Sequence, residues 1–253
     1  MKYWGREIMI NFILLLILHL IGDFYLQTDK VAKCKGAQIS SECDRCKQTK
    51  KCSADTKFKL GYIIIHSLIY AIPFLALFFV ANFATVAIAF GVLFVSHAVV
   101  DIISCCANKK FKNTLVFLGD QAVHVGVLYF LFRWGSFTAD ISAYTVPLKV
   151  ALVVLLLISP CSILINKVMK DIFKDTTEIG LFDVGSIIGI LERVLVVVFA
   201  YLGNLAAIAV VITVKTWARS KDLEEKEFRN KYLLGTLASL VLAALVFLLY
   251  KIL

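Results

Sequence analysis

The sequence predicts an all-α protein, a polytopic membrane bundle of about seven or eight transmembrane helices. Three observations carry that expectation. Hydrophobic residues make up 60% of the 253 positions, and the mean hydropathy is +0.85. Only three prolines and thirteen glycines interrupt the chain. The apolar residues fall in runs of about 20, the length a helix needs to cross a bilayer. A water-soluble globule needs more polar surface than this composition supplies, and disordered, collagen-like or disulfide-rich secreted chains fail on the same numbers. A transmembrane barrel would show short alternating segments, and the sequence has none.

The first apolar run, 8–26, follows Lys2 and Arg6 in the manner of a signal peptide. No small-residue cleavage site comes after it; Gly22-Asp23-Phe24 stands there, so the run reads as a retained span. Runs at 60–80, 83–106, 114–134, 145–168, 184–202, 204–218 and 232–252 follow. Each reads as a helix because a backbone crossing lipid must satisfy its own hydrogen bonds. Gly203-Asn204 is the turn signal between the sixth and seventh runs, where either a hairpin or one long tilted helix fits. Residues 1–253 read as a single transmembrane domain. A cysteine-bearing loop, 29–59, is inserted between its first two spans.

The net charge is +9, which in a soluble chain would suggest nucleic acid. In a membrane protein it reads instead as basic residues gathered in cytoplasmic loops, and no nucleic-acid partner is expected. Segments 29–59, 107–113, 167–174 and 215–231 hold 21 of the 27 lysines and arginines. With eight spans all four fall on one side, which assigns that side to the cytoplasm and both termini to the outside.

The four histidines, His19, His66, His97 and His124, all lie in predicted spans. Three have an aspartate four residues away: His19 with Asp23, His97 with Asp101, and Asp120 with His124. That step puts both side chains on one helix face, one turn apart. All seven residues also fall at a similar depth near the cytoplasmic loops, so four packed helices can aim them at one centre. An isolated aspartate in hydrocarbon is costly. Imidazoles and carboxylates around a divalent ion remove that cost and suit Zn²⁺, Mn²⁺ or Fe²⁺. Seven donors fit two ions, or one ion with outer aspartates orienting its histidines. The structural alternative is polar pairs holding helices together, each His donating to its Asp. A proton or cation pathway uses the same residue types.

Segment 29–59 carries Cys34, Cys43, Cys46 and Cys52 at C-x8-C-x2-C-x5-C spacing. Thiols facing the cytoplasm stay reduced, so this set reads as a second metal site, Zn²⁺ first and an iron–sulfur cluster second. On the outer side the same loop would instead form disulfides.

In the sixth span, Glu192 and Arg193 sit at least two turns from the preceding loop. Adjacent residues diverge on a helix, so each is expected to meet a partner on another helix. Glu192 is a candidate general base or further donor, and Arg193 a candidate holder of phosphate or carboxylate. An interhelical ion pair is the plain alternative. No phosphate-binding glycine loop, dinucleotide fingerprint, zincin motif or serine-hydrolase elbow occurs.

The run His19-Leu20-Ile21-Gly22-Asp23-Phe24-Tyr25-Leu26-Gln27-Thr28-Asp29 resembles the opening motif of a bacterial membrane family, domain-of-unknown-function family 3307. His66, Ser96-His97 with Asp101, Asp120-Gln121 with His124, Gly189 to Arg193, Lys215 with Arg219, and Leu234-Gly235-Thr236 follow that family's pattern in order. Loop 29–59 departs from it, since family members join the first two spans more briefly and without these cysteines. The resemblance implies a multi-pass protein of the bacterial inner membrane and no particular chemistry. A looser likeness to membrane-bound metal-dependent hydrolases is analogy alone.

The residues together point to a membrane metalloenzyme. A metal held by the His/Asp set would activate water against an ester or phosphoester of a lipid-like substrate, with Glu192 or an aspartate as base and Arg193 steadying the product. Two alternatives stay open: a divalent-cation or proton transporter built on the same residues, and a scaffold or sensor in which the cysteine loop is the working part. Oligomeric state is not legible.

Overall fold

The computed structural model describes residues 2–27, 53–107, 111–135, 140–174 and 183–253. Among these residues the structure is helical throughout and contains no β-strand. The expected cysteine site at Cys34, Cys43, Cys46 and Cys52 lies outside the described residues. Helix α1 (Lys2–Leu20) passes directly into a π turn, Ile21–Tyr25, where Leu26 N–H donates to the Ile21 carbonyl at 3.0 Å. Helix α2 (Ser53–Ala71) starts seven residues before the expected span and tightens into a 3₁₀ segment, Ile72–Phe79. Pro73 lies in that segment and lacks the N–H that would continue the α ladder. Helix α3 (Phe83–Ala107) opens on Asn82, whose Oδ1 accepts from Thr85 N–H at 2.8 Å. Helix α4 (Asn113–Trp134) stops at Gly135, where the chain becomes extended.

The predicted fifth span is two helices, α5 (Thr145–Ile158) and α6 (Pro160–Phe173). Pro160 is the reason: it has no N–H to give, and its ring crowds the preceding turn. Helices α7 (Val184–Tyr201) and α8 (Leu205–Ala218) are separate. Gly203 takes φ +70°, a left-handed value that glycine adopts without strain, and Asn204 Oδ1 caps α8 by accepting from Ala207 N–H at 3.1 Å. The hairpin, not the long helix, is therefore realised. Helix α9 (Lys226–Ile252) ends the chain.

Among the described residues six helical stretches are long and apolar enough to cross a membrane: Gly61–Phe79, Phe83–Ala107, Asn113–Trp134, Ser142–Phe173, Val184–Tyr201 and Lys226–Ile252. Met9–Tyr25 and Leu205–Ala218 are shorter apolar helices. The fourteen residues of α8 reach about 21 Å, less than the ~30 Å hydrocarbon core. Phe79, Phe83, Trp134 and many branched aliphatic side chains point outward, while His19, His66, His97, Asp101 and Arg193 are buried. So many exposed apolar side chains, around an interior that also holds polar groups, are expected where lipid covers the outer faces.

The chain divides into two compact units, Met1–Leu148 and Lys149–Leu253. In the first, α1 packs on α4, α4 on α3, α3 on α2, and α2 on the π turn, which closes a four-helix ring. Leu15, Leu18, Phe74, Leu77, Leu93 and Leu128 form its apolar core. In the second, α9 packs on α6 and α7, and α8 on α7, around Val153, Leu157, Cys161 and Val246.

Gly22 sets how closely the ring closes. A Cβ added there would stand 2.6 Å from the Tyr70 carbonyl oxygen, a backbone atom that cannot swing aside. Gly22→Ala is expected to lower stability by about 1–3 kcal/mol, the usual cost of overpacking, read as the unfolding midpoint of the detergent-solubilised protein. An unchanged midpoint would show that α1 and α2 separate freely.

Candidate metal centre

The four helices of the first unit bring the predicted residues together. His19 lies in the last turn of α1 and Asp23 in the π turn. His66 comes from α2, His97 and Asp101 from α3, and Asp120 and His124 from α4. All but Asp120 are buried.

At the centre are four atoms. His66 Nε2 stands 3.4 Å from Asp23 Oδ1 and 3.8 Å from Asp101 Oδ2. His97 Nε2 stands 3.7 Å from the same two oxygens. These separations exceed the 2.7–3.2 Å or so of a direct N–H···O hydrogen bond. They come close to the edges of a coordination tetrahedron, since donors about 2.0–2.2 Å from an ion lie about 3.3–3.6 Å from each other, and three of the four are slightly longer. The expected alternative, each histidine donating to the aspartate four residues away, fails on distance for His97 with Asp101 at 3.7 Å and for His124 with Asp120 at 3.7 Å. Both ring nitrogens of His66 are buried and make no hydrogen bond. A buried imidazole in that state is uncommon, and a cation between the two carboxylates is a partner this donor set could hold.

Three donor triads overlap here: Asp23–His66–His97, His97–Asp101–His124, and Asp23–Asp120–His124. Within each, the ligand atoms lie within 4.8 Å of one another. These buried groups could hold a metal ion. The sharing of Asp23, His97 and His124 between triads gives adjacent positions for one or two ions.

His19 belongs to none of the triads among the described residues, because both its nitrogens are engaged. Its Nε2 meets Gln121 Oε1 at 3.2 Å, and an amide oxygen only accepts, so Nε2 carries the proton. In the neutral ring Nδ1 then accepts from the Tyr70 hydroxyl at 3.1 Å. The Gln121 amide is fixed the same way. Its Nε2 donates to Asp23 Oδ2 at 2.9 Å and to Asp120 Oδ2 at 3.1 Å. Gln121 therefore takes one oxygen of Asp23 and leaves the other facing His66 and His97. Ser104 Oγ donates to Asp120 Oδ1 at 2.6 Å. The Tyr70 ring lies flat on His97, centroids 3.8 Å apart and planes 9° apart.

Gln121, Tyr70 and Ser104 are the site residues that sequence reasoning passed over as participants. Spacing held a signal for two of them: Tyr70 lies one turn after His66, and Ser104 three residues after Asp101.

The π turn explains why His19 and Asp23 do not pair. A π turn takes an extra residue per turn, so a four-residue step no longer lands above its start. Asp23 swings toward α2 and α3 instead.

Asp120 forms part of the wall of an apolar cavity of about 410 Å³ between α3 and α4, with Ile103, Phe111, Leu115, Gly119 and Val123. Glu192 and Arg193 belong to the second unit. Glu192 Oε2 accepts from Lys215 Nζ at 2.5 Å. Arg193 donates through Nε to the Leu157 carbonyl at 2.9 Å and through Nη2 to Ser162 Oγ at 2.5 Å. Each thus meets another helix, as the sequence predicts.

The family model described as "Protein of unknown function (DUF3307)" matches residues 11–153, more than half of the chain. That stretch contains the whole His/Asp cluster. Glu192, Arg193, Lys215, Arg219 and Gly235, which also carry the resemblance, lie beyond it. No curated protein and no solved structure matches the chain.

Gln121→Leu deprives two carboxylates of a donor and is expected to cost about 1–3 kcal/mol. Tyr70→Phe removes one neutral hydrogen bond and is expected to cost about 1 kcal/mol. Unfolding midpoints of the two variants check this. The reverse order would mean that the amide does not hold the carboxylates.

Proposed function

The chain belongs to the DUF3307 family, and from that premise we propose that it is a membrane metalloenzyme that hydrolyses an ester or phosphoester bond of a lipid-like substrate. The observation that carries this reading is the position of Asp120. It shares a donor triad with Asp23 and His124, and it also faces the apolar cavity. A reactive carboxylate at the end of a hydrocarbon-lined space suits a substrate with an acyl chain.

His66, His97, Asp23 and Asp101 would hold the ion, with Asp120 and His124 beside them. Two imidazole nitrogens and two carboxylate oxygens suit Zn²⁺, Mn²⁺ or Fe²⁺. When bound, such an ion lowers the pKa of water and polarises the scissile group. The chain does the rest. Gln121 and Ser104 orient the Asp120 carboxylate as an acceptor, which fits it to take a proton from attacking water. His124 Nε2 stands 3.7 Å from Asp120 Oδ2, outside direct hydrogen-bond reach, so in this scheme the proton stays on Asp120. Glu192 has no part in this scheme, since its carboxylate is held by Lys215. The Tyr70 layer and the leucine core below it keep bulk water from the histidines.

We place the cluster toward the cytoplasmic face of a bacterial inner membrane. The basic segments next to these helices support that orientation.

Metal analysis of the purified full-length protein should find bound divalent metal, lost in a His66→Ala, Asp101→Asn variant. Metal-free parent protein would end this reading. Turnover of long-chain esters and phosphoesters in mixed micelles should fall about 10²–10⁴-fold in Asp120→Asn while metal is retained. A metal-loaded parent inert on both substrate classes would leave the centre standing and remove the hydrolase. Gly119→Leu, which places a side chain in the open cavity, should raise KM more than it lowers kcat.

A further inference from the structure

The second unit has a polar interior of its own, built around Arg193. This guanidinium is 3% exposed in the middle of an apolar helix. Pro160 breaks the backbone ladder beside it, and the nearby Leu157 carbonyl accepts from Arg193 Nε at 2.9 Å. Ser162 and Ser239 hydroxyls accept from its two other nitrogens, at 2.5 and 3.4 Å. All three acceptors are neutral. Among the described residues no carboxylate pairs with Arg193. A buried cation fixed only by dipoles keeps its full charge and retains two unused N–H groups.

Those groups border a cavity of about 300 Å³ lined by helices α6 to α9. Arg219, Lys215 and Lys231 also line it, and among the described residues Glu192 is the acidic side chain there. Glu192 is taken by Lys215, and Lys231 is paired with Glu227 at 3.0 Å. Arg219 meets only the Phe228 ring, 5.9 Å from its centroid, and no carboxylate among the described residues. Among the described residues the cavity thus gathers two arginines and two lysines around Glu192, an excess of positive charge.

The floor of the cavity is glycine. Gly185 and Gly189, one turn apart on α7, and Gly235 on α9 all line it. Glycines on apolar helices usually let a neighbouring backbone approach closely. Here a Cβ at Gly185 or Gly235 would meet nothing within 4 Å, and one at Gly189 would meet Arg193 Nη1 at 3.5 Å. The missing side chains leave room for something other than a helix.

We propose that this cavity binds a phosphate-bearing anion between Arg193 and Arg219. Arginine forks match phosphate oxygens two at a time, and basic pockets among membrane helices are suited to anionic headgroups. The apolar residues on the same wall, Ile165, Ile188 and Met169, suit a ligand whose phosphate continues into a chain. The proposal does not rest on the hydrolase reading.

The test uses the full-length protein in phosphatidylcholine nanodiscs, in two arms. One arm titrates glycerol 3-phosphate as a soluble phosphate monoester. The other adds phosphatidic acid to the disc and counts the molecules retained by native mass spectrometry. Binding in the first arm identifies a soluble phosphate and in the second a lipid headgroup. In the positive arm, Arg219→Gln should weaken binding about tenfold, the loss of one charge-assisted contact. Gly235→Leu, which fills the cavity without changing charge, should weaken it at least as much. Neither variant touches the hydrogen bonds that anchor Arg193, so both are expected to fold. Absence of binding in both arms, or unchanged affinity in either variant, would overturn the proposal.

Discussion

A charged group inside an apolar bundle has to find its compensation within the protein, because the surrounding hydrocarbon offers none. That constraint organises both units. In the first, Asp23 and Asp101 share the space between two imidazoles, and the Gln121 amide binds the outer oxygens of Asp23 and Asp120 together. His19 holds Gln121, and Tyr70 holds His19. Each residue in that succession has one role open to it once its neighbour's role is set. An amide nitrogen facing two carboxylates puts the amide oxygen toward His19, and the oxygen in turn chooses the ring tautomer. In the second unit the charge has the opposite sign, and backbone and hydroxyl dipoles carry Arg193.

The two interiors differ in how they meet their surroundings. The His/Asp cluster is sealed except at Asp120, which faces a hydrocarbon-lined space. The arginine cavity is open and lined by cations. Chemistry that needs a dry, enclosed centre suits the first, and recognition of a charged group suits the second.

Much of this was legible in the chain. Span positions follow from apolar runs, and the grouping of His97, Asp101, Asp120 and His124 follows from four-residue spacing and shared depth, that of His66 and Asp23 from depth alone. What could not be read depends on contacts distant in sequence or on local departures from α geometry. Gln121 looks like any polar helix residue until α1 and α4 are in contact. The 3₁₀ segment after Ala71 and the break at Pro160 replace two helices read as continuous, although both prolines were visible. Hydropathy averages over a whole window and does not register one absent N–H. The Gly203-Asn204 turn was readable as a turn, and the left-handed backbone and side-chain cap there decide between hairpin and rod.

The π turn at Ile21–Tyr25 has a consequence for how this chain tolerates changes in length. Such a turn is an α-helix holding one surplus residue. Removing any single residue from it would restore ordinary winding and rotate everything beyond it by about 100°. Asp23 would then no longer point at His66 and His97. A one-codon deletion at Ile21 or Gly22 would thus act as severely as loss of a donor, although every histidine and aspartate of the cluster would still be encoded.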